Sequence, residues 1–267
     1  MRLLFILLIA CLSSCSEKRK SSELLMINLD EISYEPMDIS AVADSVIYIQ
    51  FDNSFILPGF VSLYWADSCF FANTREGVLK YDIKGCFLQK IGGLGDGPKE
   101  YPRYSYRCIM DKSNEVIYIY VYSEQKLLSY SFTGKFIKSV QVELPDDVKI
   151  YFPSFAYMQD DLIYFYYDNN MGKSGKRPYY WLSIKKDGTF VESYKGYKEI
   201  VEKYAGIYGI FYAAMNDSTV VYYDLFEDSI YHVTPHRSYA AYLWGQGNFR
   251  LLSLIHISEP TRLGMIS

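Results

Sequence analysis

Histidine and cysteine are scarce in this chain, which has 3 histidines and 5 cysteines among its 267 residues. No two cysteines follow the Cys-X-X-Cys spacing that is typical of structural zinc sites. His232 and His236 are four residues apart in an expected strand and turn, where extended backbone separates them by about 13 Å. A shared metal ion or a Ser-His-Asp triad therefore has little support. We assign no catalytic residue, no metal ligand and no cofactor from the sequence.

Basic residues are also few. Lys and Arg total 27 against 31 for Asp and Glu, and the net charge is −4. The basic residues form no block outside a short run near the start of the chain, so we expect no nucleic-acid partner. Hydrophobic residues make up 50% of the chain, which argues against disorder and in favour of a buried core.

A long hydrophobic run is missing as well. The apolar run from Leu3 to Leu12 follows Arg2 and is too short to span a bilayer permanently. It ends in Leu12-Ser13-Ser14-Cys15, which resembles the lipobox of bacterial lipoproteins. That resemblance implies a signal peptide over residues 1–14 and an acylated Cys15 as the new N-terminus. The segment ending at Cys11 fits the same pattern with a shorter apolar core, and an ordinary secretory signal is the other alternative.

The predicted lipid anchor places the protein in the cell envelope. Two or more acyl chains hold a protein firmly to a membrane. We expect a polar lipidated tether over residues 15–35 and attachment to the outer membrane, facing either the periplasm or the surface. Cys69, Cys86 and Cys108 form an odd number, so a disulfide is permitted in this compartment but no pairing is assigned.

Aromatic residues are abundant at 18% of the chain, with 28 tyrosines and 16 phenylalanines. Tyrosine and phenylalanine favour strands. Glycines at expected hairpin turns recur at Gly85, Gly134 and Gly188, which are 49 and 54 residues apart. A period of roughly 45–55 residues is typical of propeller blades. We predict an all-β propeller over residues 36–251 with about four blades of three to four antiparallel strands; a β-sandwich with a chance period is the alternative.

A glycine-rich segment follows the first predicted hairpin and reads Gly-Gly-Leu-Gly-Asp-Gly-Pro-Lys-Glu-Tyr over residues 92–101. It resembles the inter-blade segment of six-bladed propellers with NHL-like repeats. Together with the lipobox, it is similar to the six-bladed propeller lipoproteins of the Bacteroides type. The resemblance covers about residues 47–244, departs from the family at Lys99, where glycine is usual, and has only one complete copy of the segment. It implies a fold with six blades when complete and an envelope location, but no activity.

The same segment also invites a phosphate-loop interpretation. Such loops open a helix, whereas Pro98 and Pro102 interrupt any helix here. We therefore predict an inter-blade loop, and loops are where propellers carry recognition. The predicted ligand-binding residues are Asp96, Lys99, Glu100, Tyr101 and Arg103, with the insertion at residues 173–177 as a second candidate. The alternative is that Asp96 and Glu100 accept hydrogen bonds from backbone N–H groups between blades.

The leading functional hypothesis is a non-enzymatic binding or scaffolding protein whose partner is an envelope glycan or protein. A cluster of aromatic residues could form a sugar-binding platform or fill the wedge between blades: Tyr164, Tyr166, Tyr167, Tyr179, Tyr180 and Trp181. The carboxylate pairs at 146–147 and 160–161 suit turn capping better than calcium binding or acid–base chemistry. Alternatives are a lactonase or glycan-processing propeller with a metal in its channel, and a purely structural envelope protein.

The last residues carry no repeat features. Residues 252–267 look like the translation of a sequencing adapter joined to the end of a contig, so we expect a non-native tail and a longer native protein. A genuine irregular tail is the alternative. Helix is expected only as one or two turns over Tyr197–Ala205.

Overall fold

The computed structural model describes residues 24–31, 36–55, 57, 62–146, 153–167, 179–195, 211–216, 219–224, 229–234 and 237–244. Several predictions lie outside these residues: the signal peptide and Cys15, the insertion at 173–177, the helical turns at 197–205, and the tail at 252–267. Within the described ranges, no helix is long and apolar enough to cross a membrane.

The described chain consists almost entirely of strands, joined by short turns that contain glycine, aspartate or asparagine. Their bounds are β1 Leu25–Ile27, β2 Ser62–Ala66, β3 Cys69–Thr74, β4 Gly77–Asp82, β5 Phe87–Ile91, β6 Gly93–Leu94, β7 Glu100–Tyr101, β8 Tyr106–Asp111, β9 Val116–Val121, β10 Lys126–Ser131, β11 Phe136–Gln141, β12 Phe155–Gln159, β13 Leu162–Tyr166, β14 Tyr179–Lys185, β15 Phe190–Lys195, β16 Phe211–Asn216, β17 Thr219–Asp224, β18 Ser229–Thr234 and β19 Arg237–Trp244. Single 3-10 turns occur at Leu29–Glu31 and Ile39–Ala41.

The strands form four consecutive antiparallel sheets, each a meander of four strands in chain order. Blade 1 is β2–β5, blade 2 is β8–β11, blade 3 is β12–β15 and blade 4 is β16–β19. This arrangement confirms the predicted all-β fold as a partial β-propeller. β1 lies within the predicted tether and pairs in parallel with β19, which gives the sheet of blade 4 a fifth strand.

The three predicted turn glycines each occupy the turn between the third and fourth strands of a blade. Gly85, Gly134 and Gly188 have φ angles of +87°, +77° and +89°, a region that side chains with a Cβ rarely adopt. A register shift adjoins each turn, in the pairing of the third strand with the fourth. The predicted hairpins are therefore confirmed.

Aromatic and aliphatic side chains fill the wedges between neighbouring blades. Phe71, Ile117 and Leu128 belong to the core between blades 1 and 2. Tyr120 of blade 2 packs on Phe165 of blade 3, with ring centroids 4.3 Å apart. Burial of this apolar surface is the main stabilising contribution to the arrangement of the blades.

Each of the three glycine turns also lies against the backbone of a preceding segment. The carbonyl of Gly188 accepts a hydrogen bond of 2.9 Å from the N–H of Glu143, just after the last strand of blade 2. The carbonyl of Gly85 accepts an equivalent bond of 2.9 Å from the N–H of Asp52. Residues 49–55 and 57 thus support blade 1 in the way that the end of blade 2 supports blade 3. Their apolar side chains cover the core cluster around Tyr81.

Candidate functional site

Glu100 organises the predicted binding loop from within. Its carboxylate accepts a hydrogen bond of 3.1 Å from the N–H of Gly97. A Cβ added to Gly95 would lie 2.1 Å from the same carboxylate oxygen, so a larger residue there would displace the Glu100 side chain from its present position. This geometry matches the alternative interpretation of Glu100, in which its carboxylate accepts a bond from loop backbone.

Tyr101 lies in the core and not on the surface of the loop. Its side chain is only 1% exposed. The hydroxyl donates to the carbonyl of Ile91 at 2.8 Å and accepts from the N–H of Val78 at 3.0 Å. Burial raises the pKa of this phenol well above its usual value. The hydroxyl is therefore fully used inside the protein.

The other three predicted residues, Asp96, Lys99 and Arg103, are exposed. The Lys99 ammonium lies 5.5 Å from the centre of the Phe136 ring in blade 2, and the Lys99 carbonyl accepts a bond of 2.7 Å from Tyr130. The loop therefore ties blade 1 to blade 2. Ligand binding by this segment stays a prediction, and it rests on the three exposed charges.

The tyrosine cluster of blade 3 is interior. Tyr164, Tyr166, Tyr167, Tyr179 and Trp181 are all buried. Tyr157 stacks on Tyr164 and Tyr166 at centroid distances of 5.4 and 5.6 Å on one face of the blade. These rings pack in the wedges between blades and form no surface platform. Packing between blades was the alternative role that the sequence predicted for them.

A cavity of about 810 Å³ opens where the first strands of blades 1, 2 and 3 come together. The strands contribute residues 63–65, 110–111 and 155–159, and the turns after β8 and β12 contribute residues 112–114 and 160–161. Ligand pockets in proteins have volumes of about 300–1,000 Å³ and are lined mainly by apolar side chains with a few polar groups among them. This cavity is the candidate functional site, and we call it the inner pocket.

One wall of the inner pocket is aromatic. Trp65 on β2 is 47% exposed and is fixed by a perpendicular contact with Phe70, with ring centroids 4.3 Å apart. Phe155 and Tyr157 on β12 stack on each other at 5.8 Å. The pocket therefore combines an exposed indole with a pair of ordered rings from blade 3.

Gln159 lies on the strand that borders the pocket, but its carboxamide is buried. The residue is only 5% exposed, and neither its carboxamide oxygen nor its nitrogen has a hydrogen-bond partner in the structure as far as the chain is described. An unpaired buried polar group costs about 1–3 kcal/mol of stability. The next two residues, Asp160 and Asp161, have φ angles of +45° and +63°, in a two-residue turn where Asn-Gly is the favoured pair. Aspartate, asparagine and glycine are the residues that adopt this left-handed backbone most readily, so Asp160 and Asp161 fit the turn.

An ion pair closes the side of the pocket between blades 2 and 3. Asp111 at the end of β8 is 4% exposed and lies 2.8 Å from the ammonium of Lys186, which also contacts Asp161 at 2.5 Å. Burial alone would raise the pKa of Asp111. Hydrogen bonds from Lys186 and Asn114 outweigh that effect and hold the pKa below its usual value. Asp111 is therefore ionised at neutral pH and serves to hold the two blades together.

The described residues contain no group of three or more His, Cys, Asp or Glu side chains placed to hold a metal ion. Of the two histidines considered, His232 packs edge-on to Tyr239 and Tyr242 in blade 4. His236 lies outside the described residues, so the prediction that the pair shares no metal stays a prediction.

Comparison with solved structures shows the same type of fold. A protein from Bacteroides fragilis described as exported is 17% identical, with a TM-score of 0.57 over 75% of this chain and 55% of the other. A member of the DUF4221 family from Bacteroides vulgatus is 16% identical, with a TM-score of 0.46 over 68% of this chain and 57% of the other. The chain thus spans a little over half the length of these proteins.

No curated protein matches the chain. A family profile does match it over residues 24–252, which is most of its length and includes all four blades and the inner pocket. The chain therefore belongs to the family described as domain of unknown function DUF4934.

Proposed function

We propose that this protein is a cell-envelope lipoprotein whose propeller binds a ligand in the inner pocket without transforming it. The observation that carries the proposal is the pocket itself, a cavity of about 810 Å³ lined by the exposed residue Trp65, by Phe155, and by the exposed residues Asp160 and Asp161. Sites of this size and mixed character are the usual location of ligand binding.

Binding fits the acidic residues of the pocket better than hydrolysis. A general acid must hold its proton near neutral pH, which requires a raised pKa. The pKa of Asp111 is instead lowered, and its carboxylate is occupied by Lys186 and Asn114. Among the described acidic residues of the pocket, Asp111 therefore holds blades 2 and 3 together, and Asp160 and Asp161 are available as hydrogen-bond acceptors.

We further propose that residues 1–14 are removed, that Cys15 is acylated, and that the complete propeller is of the six-bladed NHL-like type. The lipobox supports the anchor, and the similarity in fold to a Bacteroides protein described as exported supports the envelope location. The partners proposed are the membrane, through the lipid, and an envelope glycan or protein.

The anchor is tested by labelling cells with an alkyne fatty acid and identifying the acylated peptide by mass spectrometry. Cys15→Ala should abolish labelling and leave an unprocessed precursor. Cys11→Ala is the matched control and should be labelled as the wild type is. Acylation on Cys11, or on neither cysteine, would contradict this part of the proposal.

The binding site is tested by hydrogen–deuterium exchange on the full chain with a library of oligosaccharides and peptides. A ligand of the inner pocket should slow exchange in the turns at 112–114 and 160–161. Slowed exchange confined to residues 96–103 would move the site to the inter-blade loop. There, Asp96→Ala with Lys99→Ala, which leave Glu100 in place, should abolish binding if the loop carries recognition.

A further inference from the structure

We infer that residues 45–50 are the fourth strand of a further blade, whose other three strands follow blade 4 in the complete protein and close the ring against blade 1. The inference concerns the closure of the propeller and does not depend on the proposed ligand site. Two sets of observations carry it: the backbone contacts of residues 50–52, and the apolar face of blade 1 that the segment before it covers only in part.

The glycine turn of each of the first three blades contacts the chain that precedes that blade. In blade 3, a Cβ on Gly188 would lie 2.2 Å from the carbonyl oxygen of Gln141, the last residue of β11. The glycine turn of blade 2 meets a carbonyl of β5 in the same way, so both turns contact the fourth strand of the neighbouring blade. In blade 1, a Cβ on Gly85 would lie 2.2 Å from the carbonyl oxygen of Gln50. Gln50 therefore takes the place of the last residue of a fourth strand.

The correspondence continues on either side of this contact. The N–H groups of Asp52 and Glu143, each two residues further on, donate bonds of 2.9 Å to the carbonyls of the two turn glycines. Ile49, just before the contact, packs on the core of blade 1, as Val140 packs on the core between blades 2 and 3. Residues 45–50 therefore correspond one to one with the 6 residues of β11.

This correspondence identifies the amides of the segment that would face a partner strand. The N–H of Val142 donates to the residue just before β10, in register with the pairing of β11 and β10. Hydrogen-bonded pairs alternate along an antiparallel ladder, so Val140 and Lys138 also donate to β10. The residues in those two positions are Ile49 and Ile47. Their N–H groups should therefore donate to the third strand of the closing blade.

The face of blade 1 that is turned away from blade 2 has only part of the cover that such a face receives elsewhere. In blade 3 the corresponding face packs on side chains from all four strands of blade 2. In blade 1 the cover comes from residues 49–55 and 57, in the place of the last of those strands. Leu63 on this face is 52% exposed, whereas Ala156 at the corresponding position of blade 3 is 5% exposed. Trp65 lies on the same face and would border both the closing blade and the inner pocket.

The described chain does not supply the three partner strands. Strands β2–β5 and β8–β19 are used within their own blades, β6 pairs with β7, and residues 24–44 contribute only β1, which pairs with β19. The blades follow one another in chain order, so a blade that stands between blade 4 and blade 1 takes its strands from chain beyond Trp244. The similar Bacteroides fragilis protein, of which this chain spans 55%, is long enough to hold further strands.

The test is hydrogen–deuterium exchange, resolved to single amides, on the native protein with the coding sequence that follows blade 4 in its gene. The protection factors of Ile47 and Ile49 should exceed that of Tyr48, whose N–H faces the open edge, by about tenfold or more. In the 267-residue chain all three amides should exchange rapidly. The amides of β11 should keep their pattern in both proteins and serve as the internal control.

Proline substitutions give a second readout. Ile47→Pro removes a proposed donor to the closing blade, whereas Tyr48→Pro removes an N–H on the open edge of a strand, where proline is tolerated. In the native protein the first variant should melt about 2–4 °C or more below the second. In the 267-residue chain the two variants should melt alike, because neither amide is paired there.

Four results would overturn the inference. The first is a native gene that encodes no further strands after blade 4, and the second is rapid exchange at Ile47 and Ile49 in the native protein. The third is slow exchange at these amides in the monomeric 267-residue chain, because the partner strand would then lie within that chain. The fourth is slow exchange that rises with protein concentration together with a dimer in light scattering, which would assign the edge to a second copy.

Discussion

Tyrosine hydroxyls join backbone segments that are distant in sequence. Tyr64 donates to the carbonyl of Cys108 at 2.9 Å, and Tyr130 donates to that of Lys99 at 2.7 Å. In each case the ring lies in the wedge between blades while the hydroxyl satisfies a polar group that burial would otherwise leave unpaired. At these two positions tyrosine therefore fills the core as phenylalanine would and also satisfies a backbone carbonyl.

Tyr101 provides the sharpest test at the scale of single residues. Tyr101→Phe removes the partner of two backbone groups, so we expect a loss of about 1–3 kcal/mol in the free energy of unfolding, measured with urea. Tyr104→Phe, at an exposed position, should change stability by less than about 0.5 kcal/mol. An unchanged stability for the Tyr101 variant would show that water replaces the hydroxyl without cost.

The cysteines of the blades should differ in reactivity, since only the thiolate reacts. Burial raises the pKa of the Cys108 thiol to about 12 and also raises that of Cys69, whereas Cys86 is exposed. At pH 8 iodoacetamide should therefore modify Cys86 and spare the other two until urea unfolds the protein. Peptide mass spectrometry reads the outcome, and modification of Cys108 in the folded protein would contradict the packing described.

At the scale of strands and turns, the third and fourth strands of blades 1, 2 and 3 could be predicted from their glycine turns, and the first strands could not. Gly85, Gly134 and Gly188 mark these hairpins in the sequence, and each of the three occupies the predicted turn in the structure. The first strands have no such glycine turn beside them, as in Ser62–Ala66 and Phe155–Gln159. Their positions depend on contacts between blades, which the sequence pattern does not show. The inner pocket was missed for the same reason, because these strands place Trp65 and Phe155, which are 90 positions apart, in the lining of one cavity.

The glycine turns differ in what a side chain would meet, which yields a graded prediction. A Cβ on Gly85 or Gly188 would lie 2.2 Å from the carbonyl oxygen of Gln50 or Gln141, whereas on Gly134 the nearest atom, the oxygen of Lys90, is 3.2 Å away. Gly134→Ala should cost about 1–2 kcal/mol for the left-handed backbone. Gly85→Ala and Gly188→Ala should each cost about 1–3 kcal/mol more, because backbone must move.

Thermal and urea unfolding of the three variants measure these differences. Equal losses at all three positions would mean that the contacts with Gln50 and Gln141 relax freely. The φ values alone, which are nearly the same, would then account for the whole effect.

At the scale of the whole molecule, an ion pair links the turn of blade 3 to the first strand of blade 2. Lys186→Met keeps most of the side-chain stem but leaves the buried carboxylate of Asp111 unpaired, so we expect a loss of about 3 kcal/mol at pH 7. Lys84→Met, at the corresponding turn of blade 1, is exposed and should be nearly neutral.

The same pair has a definite dependence on pH. The pKa of Asp111 is lower in the folded protein than its ordinary value of about 3.9 in an unfolded chain. Its contribution is therefore complete above about pH 4 and is lost as the pH falls through the lower folded value. Urea unfolding from pH 6 to pH 3 should show a steeper loss of stability in the wild type than in Asp111→Asn. Parallel curves would assign the acid sensitivity to other carboxyls.

The contact of each glycine turn with the segment before it gives the assembly a direction. Blade 3 packs on residues that are already present when blade 2 is complete, and blade 1 packs on residues 49–55 and 57, which precede it in the chain. During synthesis the N-terminal residues leave the ribosome first, so the backbone segment that each of these glycine turns contacts is already available when the turn forms. We expect the blades to fold in chain order. Each folded blade should lower the nucleation barrier for the next blade and fix the register of its glycine hairpin.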